Sequence, residues 1–185
     1  MIINTLLKEY ELITKELFDK EFLSIGLGSI SMKLKEDLML INKHNKHYLE
    51  EDFIKKVHIL REDISWKEIN PDIKLHSEIY KHHSNTKAIA HIFPINTMTL
   101  SQTQSFINPI DFIGKSTLNK VKIIDIPSKT EWNENKSFII SKNLFERDTI
   151  IIRGFGVFIC ARDLRELLKK AIILENSSYI ILNSK

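Results

Sequence analysis

Histidines and carboxylates are the side chains of this sequence whose types and spacing suit metal or acid–base chemistry. The 185 residues include seven histidines but only one cysteine, Cys160. One thiol forms neither an internal disulfide nor a cysteine-based zinc cage, so a metal site here would need histidine and carboxylate ligands. Cys160 lies in the apolar run 157–161, which indicates a packed thiol rather than a nucleophile.

The size and composition of the chain predict one folded domain over residues 1–185. A mass of 21.7 kDa with 43% apolar residues suits a single hydrophobic core. The N-terminus has no signal-peptide pattern, and the longest apolar runs fall far short of the ~20 residues that span a bilayer. We therefore expect a cytoplasmic protein without a membrane segment.

The charge of the chain argues against a nucleic-acid partner. The formal net charge is +3, and it is carried by 22 lysines and five arginines spread along the sequence. Specific recognition of phosphates and bases favours the forked guanidinium group of arginine, whereas dispersed lysines usually solvate a surface.

Hydrophobic periodicity predicts an alternation of helices and strands. An apolar stripe at helical spacing predicts helices at both ends of the chain, and a short helix is expected to begin at Pro94. The segment 50–60 fits either a short helix or a helix running into a strand. The predicted helices are 5–22, 72–83, 137–147 and the segment after the N-cap Asp163, and the predicted strands are 29–34, 37–42, 88–93, 120–127, 149–153 and 157–161.

Four short strings, in this order, resemble the class II aldolase/adducin family. They are GSISMK at residues 28–33, LHSEIY at 75–80, AIAHIFP at 88–94 and RGFGVFI at 153–159. The resemblance runs from about residue 5 to about residue 182. It implies a three-layer α/β/α sandwich with a mostly antiparallel central sheet. It also implies a homo-oligomer, often a tetramer, related to enzymes that use a divalent metal on sugar phosphates.

The metal-ligand positions of that family are altered in this chain. The family uses a His-x-His pair on one strand, where residues i and i+2 point to the same face, and a third histidine from a turn. Here the pair reads His91 and Phe93, and the turn places Phe155 at the third position. Phenylalanine has no lone pair for zinc, so we predict no metal ligands and no cofactor.

Two other pairs of histidines are weak candidates for a replacement metal site. His76 and His83 share one face of a helix, but at i,i+7 spacing they lie about 10 Å apart, too far to share one ion. His44 and His47 belong to a polar loop rich in lysine. Such histidines are more often solvated than bound to a metal.

The family's acid–base and phosphate positions are also changed. Asp72 stands where the resemblance places a catalytic glutamate, but a helix N-cap is the favoured reading of Asp72. Gly28 is retained in the first phosphate turn, and Ser29 replaces the usual asparagine. Pro71 removes an N–H group from another phosphate turn. Lys43 or His44 could still supply positive charge for an anion.

Arg153 and His91 complete the set of candidate ligand-binding residues. Arg153 opens the glycine-rich turn and is one of five arginines, so it either binds an anion in the pocket or pairs with a buried carboxylate. We assign Gly28, Ser29, His91 and Arg153 to substrate binding and Asp72 to catalysis, with a small anion or sugar phosphate as the ligand.

Two functional hypotheses follow from these residues. The first is an aldolase-type fold that has lost metal-dependent activity and acts as an oligomeric binding or scaffold module, for which the adducin head is the family's precedent. The second is a divergent enzyme that acts on a sugar phosphate through His91, Asp72 and Arg153. A nucleic-acid-binding protein ranks third. The arrangement of Phe93 and Phe155 around His91 is the observation that bears most on the first.

Overall fold

An eight-stranded sheet forms the centre of this chain in a computed structural model that describes residues 2–184. In chain order the strands are β1 (Ser29–Lys35), β2 (Leu38–Asn42), β3 (Ile54–Val57), β4 (Ala88–Ile92), β5 (Phe106–Ile107), β6 (Val121–Ile124), β7 (Thr149–Ile152) and β8 (Gly156–Ala161). Their order across the sheet is β3-β2-β1-β4-β8-β7-β6-β5. Neighbouring strands are antiparallel except for β6 and β7. The sheet is therefore mixed, and mostly antiparallel as predicted.

Helices cover both faces of this sheet. They are α1 (Ile2–Asp19), α2 (Ile73–His82), α3 (Ile95–Ser101), α4 (Phe112–Leu118), α5 (Lys129–Glu146) and α6 (Leu164–Asn183), with a 3₁₀ helix at Ile64–Glu68. One hydrophobic cluster joins α1, α3, α4 and α6 to one face, and a second joins α2 and α5 to the other. The predicted three-layer α/β/α sandwich is confirmed. Within residues 2–184, no helix has the length and apolar character needed to cross a membrane.

The register of three central strands brings the candidate residues onto one face of the sheet. Ser29 of β1 pairs with His91 of β4, which in turn pairs with Phe158 of β8. Side chains of directly opposed residues on neighbouring strands point to the same face. Phe158 belongs to the cluster under α2 and α5, whereas its neighbours Val157 and Ile159 belong to the opposite cluster. The site therefore lies between the sheet and α2.

The structure differs most from the sequence-based predictions in three places. The segment 50–60 contains turns and the strand β3, and it forms no helix. The helix α5 begins at Lys129 rather than 137, because the Ser128 hydroxyl accepts a hydrogen bond from Glu131 N and caps it. The short elements α4 and β5 and the 3₁₀ helix were not predicted, since each is too brief to show a periodic apolar pattern.

Candidate functional site

A buried ion pair of His91 and Asp72 lies at the centre of the candidate site. β4 directs His91 toward the face of the sheet that carries α2, and Asp72 directly precedes that helix. His91 Nδ1 lies 2.7 Å from Asp72 Oδ2, and both side chains are more than nine-tenths buried. The structure thus brings together the two residues that the sequence singled out as the remaining imidazole and carboxylate.

The favoured prediction, that Asp72 is the N-cap of α2, is confirmed for the position of the residue but not for its side chain. Asp72 occupies the N-cap position, but its carboxylate makes no capping hydrogen bond. The charged His91 ring competes for the carboxylate, and charge-assisted hydrogen bonds are stronger than neutral ones. Asn70 organises this turn instead, since its side-chain oxygen accepts from Asp72 N and its amide donates to Gly28 O.

Both ring nitrogens of His91 face hydrogen-bond acceptors. Nδ1 faces the Asp72 carboxylate, and Nε2 lies 2.9 Å from the backbone carbonyl oxygen of Phe155. A carbonyl oxygen and an ionised carboxylate can only accept. The geometry therefore assigns the doubly protonated imidazolium to His91, and neither nitrogen keeps a lone pair for a metal ion.

The groups around Asp72 hold its carboxyl group ionised. Burial by itself would raise the pKa of Asp72, but the hydrogen bond and charge of His91, together with His76 and Lys136, outweigh burial and hold that pKa well below its usual range. Ser29 Oγ donates to Oδ2 over 3.1 Å, and Lys136 Nζ lies 3.6 Å from Oδ1. Sequence reasoning missed Lys136 because the predicted helix began one residue after it.

Aromatic rings surround the His91 imidazolium. The ring centroids of Phe158, Phe93 and Phe155 lie 4.1, 4.7 and 5.0 Å from that of His91, and the Phe158 and Phe155 rings are nearly parallel to it. Trp132 packs edge-on against Phe155 at 5.0 Å. Phe93 and Phe155 therefore converge on His91, which is the arrangement that the first functional hypothesis requires.

The side chains of this site do not fit a divalent metal ion. The positions beside His91 carry phenyl rings, and both His91 nitrogens are committed to acceptors within the chain. A catalytic zinc normally has three protein ligands. Between residues 2 and 184, no cluster of three or more His, Cys, Asp or Glu side chains is arranged to hold an ion.

Gly28 and Ser29 lie against the His91 pair as part of the core. A Cβ atom at Gly28 would come within 2.6 Å of the His91 carbonyl oxygen, and its φ of +86° disfavours other residues. The side chain of Ser29 is completely buried and donates to Asp72. Both predicted substrate-binding residues thus lie beside the ion pair, and the Ser29 hydroxyl points into the core.

Arg153 does not join the His91 cluster. Its guanidinium group forms an ion pair with Asp125 and donates to the carbonyl oxygens of Ser101 and Gln104. Of the two alternatives predicted for Arg153, pairing with a carboxylate is the one observed, although Asp125 is exposed rather than buried. These bonds tie the β7–β8 turn to the end of α3, to the segment that follows α3 and to the residue after β6.

His76 and Cys160 are buried titratable groups near the site. Ser29 Oγ lies 2.9 Å from His76 Nε2, and Ser31 Oγ lies 2.7 Å from Nδ1, so His76 is surrounded by core hydroxyl groups. Burial lowers the pKa of His76 to about 4, and burial raises the pKa of the Cys160 thiol to about 12. The prediction of a packed Cys160 is confirmed. The sequence carried a signal for the contacts between His76 and the two serines. Asp72 and His76 are spaced i,i+4 on one predicted helix, and Ser29 and Ser31 are spaced i,i+2 on one predicted strand, so each pair points in one direction.

A lysine-lined cavity opens beside the turn that contains Asn70. It has a volume of about 550 Å³ and lies between the loop 43–46 and the segment 62–74. Lysines outnumber carboxylates in its lining, and Nδ1 of His44 is buried there without a hydrogen-bond partner among the described residues. The charged residues of the lining are Lys43, Lys46, Lys67, Lys74, Glu62 and Glu68.

Known proteins share both the sequence pattern and the architecture of this chain. The family model described as Class II Aldolase and Adducin N-terminal domain matches residues 11–182. The L-fuculose phosphate aldolase of Methanocaldococcus jannaschii is 24% identical over 178 residues, which cover 95% of this chain and 94% of that protein.

Two solved structures have the same fold over nearly their whole length. The crystal structure of L-fuculose-1-phosphate aldolase from Thermus thermophilus aligns with a TM-score of 0.85 at 22% identity, covering 97% of this chain and 94% of that one. The sugar-phosphate aldolase from Thermotoga maritima aligns with a TM-score of 0.78 at 16% identity, covering 98% and 95%. The structural likeness establishes the fold, and the family match spans most of the sequence, so the chain belongs to the class II aldolase and adducin family.

Proposed function

We propose that this chain has lost metal-dependent sugar-phosphate aldolase activity and acts as an oligomeric binding module for a small anion. The observation that carries the proposal is the state of His91. Its two nitrogens donate to Asp72 and to the Phe155 carbonyl oxygen, and the rings of Phe93 and Phe155 lie beside it. A metal ion would need lone pairs where this site has N–H groups and phenyl rings.

Metal binding and lyase activity test the first half of the proposal. Purified protein is incubated with zinc, manganese or cobalt, dialysed, and analysed for bound metal. It is then assayed for cleavage of L-fuculose 1-phosphate, the compound that appears in the name of the Thermus thermophilus aldolase. We expect far less than one tightly bound ion per chain, and no cleavage above the level of a His91→Ala variant.

One tightly bound ion per chain that disappears in His91→Ala would contradict the loss of metal chemistry. Cleavage that depends on His91 without metal would favour the divergent-enzyme hypothesis instead. A Phe93→His, Phe155→His double variant serves as the matched control, because it restores imidazole groups at both positions that the family resemblance marks as ligands.

The lysine-lined cavity supports the anion-binding half of the proposal. Four lysines and two glutamates leave an excess of positive charge around its 550 Å³. Lys74 pairs with Glu62 at 3.1 Å, and Lys43 lies 3.8 Å from Asp52, so part of this charge is already compensated.

Titration with inorganic phosphate and with a sugar phosphate tests anion binding. We expect chemical-shift changes at the cavity that weaken as salt rises, because exposed charges are screened. A Lys43→Glu, Lys67→Glu variant is expected to lose the response, whereas a Lys142→Glu, Lys169→Glu variant with the same charge change should keep it. Equal responses in the two variants would contradict binding in this cavity.

Exposed apolar side chains support the oligomeric part of the proposal. Phe112 and Ile113 at the start of α4 are 84% and 58% exposed, and Phe145 of α5 is 71% exposed. Large apolar groups left in solvent often mark contacts between subunits. Light scattering coupled to gel filtration is expected to give a mass about four times the 21.7 kDa of one chain, as the family resemblance implies; a monomer would contradict this part.

A further inference from the structure

A chain of buried hydrogen bonds runs from Asp72 through the core to Tyr80. Asp72 Oδ2 lies 3.1 Å from Ser29 Oγ, which lies 2.9 Å from His76 Nε2. His76 Nδ1 lies 2.7 Å from Ser31 Oγ, and Ser31 Oγ lies 2.9 Å from the Tyr80 hydroxyl oxygen. The side chains of the three middle residues are completely buried, so each hydroxyl or ring nitrogen depends on its neighbours in the chain.

The ionised carboxylate at one end gives these bonds a direction. Asp72 can only accept, so Ser29 uses its single hydroxyl hydrogen to donate to it. Ser29 then accepts from His76, which places the hydrogen of the neutral ring on Nε2. Nδ1 consequently accepts from Ser31, and Ser31 accepts from Tyr80. Every hydrogen in the chain points toward Asp72.

The opposite direction is geometrically open at the far end. The Tyr80 hydroxyl group also lies 3.4 Å from the backbone carbonyl oxygen of Lys87. If Tyr80 donated to that oxygen, Ser31 could donate to Tyr80 and His76 could carry its hydrogen on Nδ1. This arrangement would leave the Asp72 carboxylate facing a lone pair of Ser29, which is unfavourable in a buried site. The charge of Asp72 therefore favours the direction in which every hydrogen points toward Asp72 over the opposite direction.

We infer that Asp72 sets the direction of this hydrogen-bond chain, so that Ser29 and His76 are positioning residues and His76 is the Nε2–H tautomer. The inference concerns the core behind the site, and it does not rest on the proposed binding function. Ser29 is the link between the carboxylate and the ring, and Ser31 is the link between the ring and Tyr80.

Nitrogen-15 NMR of the histidine rings in the full-length protein tests this inference. In the wild type we expect His76 to be protonated on Nε2 alone. In Ser29→Ala the acceptor for Nε2–H is gone while Ser31 can still accept, so the hydrogen is expected to move to Nδ1 with no change in the number of bound protons. In Ser31→Ala, the matched serine variant, it should stay on Nε2.

Two results would overturn the inference. One is a wild-type His76 protonated on Nδ1, and the other is an Nε2–H tautomer that persists in Ser29→Ala. The wild-type assignment keeps the test decisive if Ser29→Ala does not fold. A purely structural loss of packing would lower stability in both serine variants, but it would not exchange the protonated nitrogen in one of them and leave the other unchanged.

Discussion

The polar groups of the His91 site are satisfied by other groups of the same chain. His91 donates twice, and the Asp72 carboxylate receives His91 and Ser29 on one oxygen and faces Lys136 on the other. Removing one partner of a buried ion pair leaves an uncompensated charge and costs about 3–5 kcal/mol. The pair is therefore important for stability even if it does no chemistry, and its retention alone is no argument for catalysis.

The pH dependence of stability should report the buried state of His76. Its pKa is lowered to about 4 by burial, whereas in the unfolded chain it is near the ordinary value of about 6.5. Between these values the unfolded state binds a proton that the folded state does not, so stability falls as pH falls. We expect this group to cost about 3 kcal/mol between pH 6.5 and pH 4.

Urea unfolding at several pH values measures this effect. A His76→Gln variant keeps a hydrogen-bonding side chain without a titratable ring, so its stability should depend less on pH across that window. His83 also has a pKa lowered by burial, and it contributes equally to both proteins. Parallel curves for the wild type and the variant would contradict the assignment.

At the scale of elements, the β7–β8 turn and the start of α2 position the site. The Gly154 and Gly156 turn delivers the Phe155 carbonyl oxygen to His91 Nε2, and Asn70 shapes the segment that presents Asp72. Apolar periodicity and glycine placement predicted these elements. The partner of Asp72 is His91, which lies 19 positions away in the sequence. Local capping rules consider only nearby residues, so they could not identify this contact.

The polar half of α5 shows a second limit of local patterns. Within residues 129–136, Trp132 is the buried side chain and the other residues are polar. No apolar stripe therefore marks this part of the helix. The N-cap residue of α5, Ser128, has no distinguishing feature in the sequence, because other serines occur in similar polar surroundings. Lys136 reaches Asp72 from this stretch, which explains why the site lacked this residue in the sequence-based prediction.

Gly156 should be the glycine of the β7–β8 turn that tolerates a side chain least. A Cβ atom there would lie 2.3 Å from His91 Nε2, and its φ is +136°. We expect Gly156→Ala to lower the free energy of unfolding by roughly 2–5 kcal/mol, because overpacking adds to backbone strain. The variant should also disturb the His91 ring resonances.

Gly154→Ala is the matched control for this turn. Its φ of +69° is also strained for alanine, but a Cβ atom there would meet no atom within 4 Å. We expect a loss of about 1–2 kcal/mol and unchanged His91 resonances. Denaturant unfolding gives the energies, and equal losses in the two variants would show that backbone strain, rather than contact with His91, dominates at Gly156.

At the scale of the whole molecule, one sheet belongs to two hydrophobic cores. Ile30 of β1 faces the core under α1 and α6, whereas Ile89 of β4 faces the core under α2 and α5. Both side chains are completely buried, and their strands are directly paired. Because each central strand contributes to both cores, neither core can lose its packing while the other keeps an intact sheet.

This shared sheet predicts a single cooperative unfolding transition. Both tryptophans, Trp66 and Trp132, lie in the core under α2 and α5, so their fluorescence reports that side, while circular dichroism reports all helices and strands. We expect the two transitions to coincide. Ile30→Ala and Ile89→Ala, on opposite faces, should each cost about 2–5 kcal/mol. Each variant should shift the midpoints of the fluorescence transition and the circular dichroism transition by the same amount. A tryptophan transition that responds to Ile89→Ala but not to Ile30→Ala would mean that the two layers unfold independently.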